Sequence, residues 1–458
     1  MGRRILRPAG FALLLAAYAA PAAGQGSSVY NHSACASARA GAAVAAPCMD
    51  GSSVFYNPAL LAMTPSVFGA GVNAIYNEGD FTYDITGEVV EREAAVPLVP
   101  HGYASFRFGP DQRLAAGIGV FAPYGLGIEW PEDFEGRFIS WKTRLQGIYV
   151  QPTIAYQLIP GQLSVGGGVQ IVSGGLEINR TLDAPVSDAQ LAALGVPLGT
   201  DIGSAKLEGS NIGVGGQLAI YYQVSPRFSL GARYMFPVEV ELEGDAAFDH
   251  ISQPDVILLI PDPSTGQTQA VPLDALTAPL FESGGRLTDQ GVSASLTFPP
   301  QAVVGFSAGI TETLQLAGDY QWTGWSTFDQ IVATFDGGAP ELALTLNYND
   351  THSFRTGLTY DMSPAVQGRV GFIYNTAASP DETVTPILPE AERQLYTAGF
   401  GYQLGAIQAD VYYNFVNQAD RRGRVRSEMP FGLPADNVGV YSTTAHLVGL
   451  TLSYVFGR

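Results

Sequence analysis

The chain has 458 residues, a formal charge of −19 and only 14% charged side chains, with 54 Gly, 22 Tyr and 23 Phe. So acidic a protein is excluded as a nucleic-acid binder, because phosphates would be repelled. Abundant glycine and aromatics suit short alternating strands with one face in lipid, although the charge alone would equally suit a soluble secreted protein.

Met1 to about Gly24 reads as a secretory signal peptide: a basic start (Arg3, Arg4, Arg7), an apolar run from Phe11 to Ala20, and small residues before the cut. That run is too short for a membrane-spanning helix, and polar residues or glycines interrupt every later one. The mature chain is therefore expected to be exported without a transmembrane helix. Cys35 and Cys48, the only two cysteines, favour a structural disulfide in an oxidising periplasm. A metal pair is the alternative, but it lacks further Cys and has only His32 nearby. Next comes Ser52 to Met63, in which Asn57-Pro58 is a helix-start signal: a capping Asn followed by a Pro whose fixed φ suits the first helical position.

From about Ser66 onward the apolar pattern has period two. Ile407, Ala409, Val411, Tyr413 and Phe415 share one face, with Gln408, Asp410, Tyr412 and Asn414 on the other. Phe228, Leu230, Ala232, Tyr234, Phe236, Val238, Val240 and Leu242 form another such face, as do Leu316, Tyr320 and Trp322. A lipid-facing sheet gives this alternation, and so does a soluble sandwich. Connection lengths favour the first. Short joints (109–112, 159–161, 225–226, 311–313, 362–365 and near 405) alternate with long segments (78–99, 123–145, 179–207, 244–289, 336–349, 375–393, 418–443). Outer-membrane barrels connect strands in that way, with tight periplasmic turns and large external loops.

The runs so bounded number fourteen: 66–77, 100–108, 113–122, 146–158, 162–178, 208–224, 227–243, 290–310, 314–335, 350–361, 366–374, 394–404, 406–417 and 444–456. An even number leaves both termini periplasmic. The fold class expected is all-β: a fourteen-stranded antiparallel transmembrane barrel (66–458) after a signal peptide (1–24). Residues 25–65 are too few and too small to fold alone, and are expected as a plug inside the lumen.

Several ordered motifs resemble the outer-membrane FadL/TodX family of long-chain fatty-acid and aromatic-hydrocarbon transporters. Asp50-Gly51-Ser52-Ser53-Val54-Phe55-Tyr56-Asn57-Pro58-Ala59 resembles its hatch motif, and Phe121-Ala122-Pro123-Tyr124-Gly125 the end of its third strand. Gln151 to Tyr156, Leu163 to Gly168, Trp322 to Phe328, Phe372 to Asn375 and Thr385 to Pro389 resemble later parts in the right order. The resemblance implies an N-terminal hatch with Asn57, Pro58 and Ala59 at its centre, displaced when ligand binds beside it, and lateral ligand exit through a kinked third strand, Leu114 to Phe121. The cysteine pair and the terminal Gly457-Arg458 depart from the family pattern.

On that third strand, alternation sends Leu114, Ala116, Ile118 and Val120 one way and Ala115, Gly117, Gly119 and Phe121 the other. Glycines permit a bulge or a break in pairing; the alternative is that they relieve crowding against the plug. The following loop, Pro123 to Leu145, carries Leu126, Ile128, Trp130, Phe134, Phe138, Ile139 and Trp141, a candidate surface for first capture of hydrophobic ligand; the alternative is that these side chains pack on each other or sit in the outer aromatic girdle. Arg137, Lys142 and Arg144 could meet a carboxylate headgroup, lipopolysaccharide phosphates, or Glu132, Asp133 and Glu135. The five scattered His have no ligand-spaced partners, no nucleophile elbow is present, and His446 reads as a girdle residue. The expectation is a monomeric, passive outer-membrane channel for fatty acids or aromatic hydrocarbons, in contact with membrane lipid and lipopolysaccharide, without metal, cofactor or enzymatic activity. A general porin for polar solutes, and a surface adhesin or receptor using the long loops, are the rival readings.

Overall fold

The computed structural model describes residues 27–184, 196, 197, 199–261, 267–424 and 438–456; the expected signal peptide and Gly457-Arg458 lie outside them. Period-two alternation becomes a closed antiparallel barrel of fourteen strands. They are β1 Ser66–Tyr83, β2 Leu98–Phe108, β3 Leu114–Glu129, β4 Lys142–Ile159 and β5 Leu163–Asp183. β6 is Asp201–Ser225, β7 runs in two halves, Phe228–Met235 and Val238–His250, and β8 likewise, Gln290–Phe298 and Gln301–Gly309. β9 is Leu314–Thr323, β10 Thr351–Ser363, β11 Val366–Asn375, β12 Arg393–Leu404, β13 Ile407–Gln418 and β14 Gly439–Phe456. β14 closes on β1 from Ser66↔Phe456 to Tyr83↔Gly439. At three tight turns Gly109, Gly161 and Gly405 take positive φ, which only glycine adopts cheaply.

Side chains obey the lipid/lumen division. On β13, Ile407, Val411 and Tyr413 are exposed outward while Gln408, Asp410, Tyr412 and Asn414 are buried. Two expectations need correction. The face predicted to continue from Phe228 to Leu242 changes sides at Pro237: Phe228, Leu230, Tyr234 and Phe236 look outward, but Val238, Val240 and Leu242 are buried inside. Proline cannot donate to the ladder, and the register with β6 breaks there, between Ser210 and Gln217. Pro299-Pro300 interrupts β8 at the matching height. The predicted ninth strand, 314–335, in fact ends at Thr323; its remainder, Gln330–Phe335, pairs with Leu342–Thr345 as a separate hairpin.

Residues 27–64 fill the lumen and are almost entirely buried. Two short helices, Ala34–Ala38 and Ser53–Tyr56, and a 3-10 turn, Pro58–Ala62, provide what regular structure this plug has. Cys35 and Cys48 are joined in a disulfide. The plug sits against the wall at backbone contact. A Cβ at Gly69, Gly166, Gly231, Gly357, Gly371 or Gly399 would overlap Asp50, Pro58–Ala59, Val44, Arg39, Ala40 or Ala38 respectively. Wall glycines on six strands thus form a seat for the plug.

Candidate functional site: the plug, the third strand and the apolar mouth

Asn57 does what its place before proline predicts. Its Oδ1 accepts from the Ala59 amide at 3.0 Å, capping the 3-10 turn. The same side chain donates through Nδ2 to the Val44 carbonyl at 2.6 Å and the Ile220 carbonyl at 3.1 Å, tying the turn both to the other half of the plug and to β6. Pro58 and Ala59 pack on β5, where Ser164 Oγ donates to the Ala59 carbonyl at 2.8 Å.

Gly117 and Gly119 face this body: a Cβ on either would press on Val54, and on Gly117 also on Leu61. Phe121, fully buried, meets Phe55 edge-on at 5.1 Å and His32 at 5.7 Å between ring centres. The pairing of β3 fails just beyond them. Its ladder with β2 stops at Gly102↔Val120, and its register with β4 shifts between Phe121 and Tyr124, across Ala122-Pro123. From Phe121 to Glu129 the edge facing β2 has no strand partner in the wall among the described residues. Ser27 to Val29 supplies a partner from inside: the Val29 amide donates to the Pro123 carbonyl at 2.7 Å, and the Gly125 amide to the Ser27 carbonyl at 2.8 Å. This N-terminal segment carries no periodic signal in the sequence, and reasoning from pattern missed it.

Of the two readings of the apolar residues after β3, packing inward is the one the side chains follow. β3 continues to Glu129, so Leu126 and Ile128 are strand residues pointing into the lumen, not loop residues facing out. Trp130 and Phe134, stacked at 4.7 Å, fold inward onto Phe81 and Tyr441, and Phe138 is likewise buried. Because the sequence marks only that these side chains are apolar, it could not distinguish an exposed patch from a lid packed over an apolar mouth. Arg137, Lys142 and Arg144 are paired with Asp201, Glu129 and Glu177.

Beneath the lid is a tight apolar cavity of about 40 Å³, lined by Ser27, Leu126, Leu145, Trp325, Phe328 and Leu388 among others. That is room for about three water molecules, so an alkyl or aryl ligand enters only by displacing its walls. A second apolar space of about 40 Å³ lies nearer the exterior and shares Leu176, Ile178, Ile331 and Leu344 with the first. Thr143 borders both the inner cavity and a cleft in the wall beside β3. On the periplasmic side the plug bounds a wide polar vestibule of about 620 Å³, beside Cys35, Cys48 and Arg369.

The family described as outer membrane protein transport protein (OMPP1/FadL/TodX) matches residues 13–456. A long-chain fatty acid transport protein of Escherichia coli O6:H1 is 24% identical over 370 residues, covering 77% of this chain and 78% of its own. Among solved structures, a Pseudomonas aeruginosa FadL homologue superposes with a TM-score of 0.77 at 17% identity, over 94% of this chain and all of that one. The Pseudomonas putida toluene transporter TodX gives 0.66 at 17% identity, over 89% and 94%. At these identities the structural likeness speaks to fold.

Proposed function

This chain belongs to the OMPP1/FadL/TodX family of outer-membrane transport proteins, and from that premise we propose that it takes up hydrophobic molecules by lateral release through its own wall. It is a passive outer-membrane transporter of hydrophobic solutes and not an enzyme. The finer reading concerns route and gate. Solute enters the apolar mouth, passes from the outer to the inner apolar space past Leu176 and Ile331, and leaves beside β3 into the bilayer. Lateral exit suits the cargo, since each methylene returned to water costs about 0.8 kcal/mol.

The observation that carries this reading is the break in β3 pairing, covered from within by Ser27–Val29 next to the inner cavity. The gate is local: those few residues swing away while the seated body of the plug stays. Membrane lipid and lipopolysaccharide surround a single chain that needs no metal or cofactor for this task.

A disulfide between Ser28→Cys and Tyr124→Cys, residues bridged in the sheet, is the test. Uptake of labelled oleate and of toluene by a Gram-negative host lacking its own channel is expected to fall to background, and to return on mild reduction. Wild type treated with the same reductant controls for Cys35–Cys48. Undiminished uptake by the cross-linked protein rules out the gate.

A further inference from the structure

We propose that Arg92 recognises the anionic headgroup of an amphiphilic cargo at the break in the wall, an inference that rests on the lateral route above. Where β2 leaves β3, the first external loop bridges the gap: the Arg92 amide donates to the Gly79 carbonyl at 2.9 Å and the Glu93 amide to the Glu129 carbonyl at 2.8 Å. A cleft of about 70 Å³ remains, bounded by Asn77, Arg92, Pro97, Ile128 and Thr143 among others. Thr143 separates it from the inner apolar cavity. Gly79 makes the arrangement feasible, because a side chain there would occupy the place of the guanidinium.

The chemistry of Arg92 differs from that of its neighbours. Lys142 and Arg144, in the same cleft, are each ion-paired, to Glu129 at 3.2 Å and Glu177 at 3.5 Å. Arg92 bonds only uncharged acceptors, all through Nη2: Asn77 Oδ1 at 3.1 Å, the Glu78 carbonyl at 2.9 Å and Thr443 Oγ1 at 3.3 Å. Nε and Nη1 have no hydrogen-bond partner among the described residues, and the guanidinium lies over the Trp130 ring at 5.8 Å. Burial, and then the nearby Arg393, pull its pKa down to about 10, so it remains a cation at neutral pH. Arg393 is itself buried, with Glu390 as its nearby opposing charge and Nη1 without a hydrogen-bond partner among the described residues. In a chain carrying −19 overall, a half-buried arginine that forms no ion pair among the described residues, with only the more distant charge of Asp80 set against it, leaves a place for an incoming anion. Nε and Nη1 each keep an N–H free, and because they point in different directions one of them donates a single charge-assisted bond to a carboxylate oxygen; Ile128 and Pro97 border the same cleft for the start of an alkyl chain.

Purified full-length protein in detergent, titrated with laurate and with dodecanol, tests the idea, since the two differ in headgroup at equal chain length. Arg92→Gln is expected to weaken laurate binding about tenfold, the loss of one charge-assisted contact, and to leave dodecanol within about twofold. Arg92→Lys should recover part of the laurate affinity. Equal weakening of both ligands, or of neither, overturns the proposal: the first makes Arg92 merely structural, the second makes it irrelevant. Repeating the titration with added lipopolysaccharide separates the sources of anion. If lipopolysaccharide displaces laurate from wild type but not from Arg92→Gln, the site belongs to lipid phosphate and the cargo reading falls. Wild type that binds neither ligand refutes the proposed function itself, a result distinct from all of these.

Discussion

His32 shows how one neutral side chain can hold the gate segment in place. Its Nε2 lies 2.8 Å from the Val29 carbonyl, so Nε2 carries the proton, and the ring packs edge-on to Phe55 at 4.2 Å and against Phe121. Burial, reinforced by His101 and the cations Arg233 and Arg355, and only partly offset by the bond to Val29, lowers its pKa to about 3. The folded pKa thus lies below the unfolded value of about 6.5. The stabilisation from a neutral His32 is complete above the unfolded value and is lost progressively as pH falls from about 6.5 toward about 3, each unit costing about 1.4 kcal/mol. Lowering the pH from 7 to 5 should therefore loosen the segment Ser27–Val29. Labelling of a cysteine placed at Ser28, taken relative to a free thiol labelled at the same pH so that the loss of thiolate cancels, is expected to accelerate several-fold over that range, and His32→Gln should flatten the dependence. An unchanged relative rate between pH 7 and 5 would show that His32 does not hold the segment.

At the scale of the element, the sequence disclosed β-strands because a barrel wall divides two solvents at every second residue. That rule located all fourteen runs. It could not see Pro237 reversing the phase of β7, since both faces of the upper half carry plausible residues: apolar Val238, Val240 and Leu242 inside, acidic Glu239, Glu241 and Glu243 outside. The rule assumed a polar lumen throughout, whereas above the plug the lumen is apolar. Ending the third strand at 122 likewise left Leu126 and Ile128 in a loop, although the strand runs on to Glu129. Asn57-Pro58 was legible because capping is local; the seating of the plug was not, because it depends on glycines distant in sequence. Those glycines make a sharp prediction. A side chain at Gly231 would collide with the Val44 backbone, so Gly231→Val should unseat the adjoining part of the plug, with a cost of about 1 to 3 kcal/mol for overpacking. Raised single-channel conductance in planar bilayers, without loss of the heat-resistant folded band on gels, is the expected signature. The same change at Gly175, where a Cβ would meet its nearest neighbours only at 3.8 Å, should leave conductance unaltered.

For the whole molecule, the plug is held by two independent means, and their relative strength decides how the channel can open. The disulfide closes a loop between residues 13 apart in sequence, for which chain entropy gives about 3 kcal/mol in a free chain. Here the loop is already fixed by contacts all around: Val44 against β7, Arg39 and Ala40 against β10 and β11, Ala38 against β12, and the Ala43 and Val44 amides donating to the Asp319 carboxylate at 2.9 and 3.0 Å. A chain confined by its walls has little entropy left to regain when the bond is cut. Replacing Cys35 and Cys48 by serine should therefore leave both conductance and hydrophobic uptake near wild type. Deleting residues 27–63 should raise ion conductance strongly, because the polar vestibule of about 620 Å³ then joins the mouth directly. If the double serine variant conducts like the deletion, the covalent staple and not the glycine seat keeps the lumen shut. The gate would then involve the entire plug and not its first few residues, and solutes crossing the barrel could travel down the bore to the periplasm without entering the bilayer.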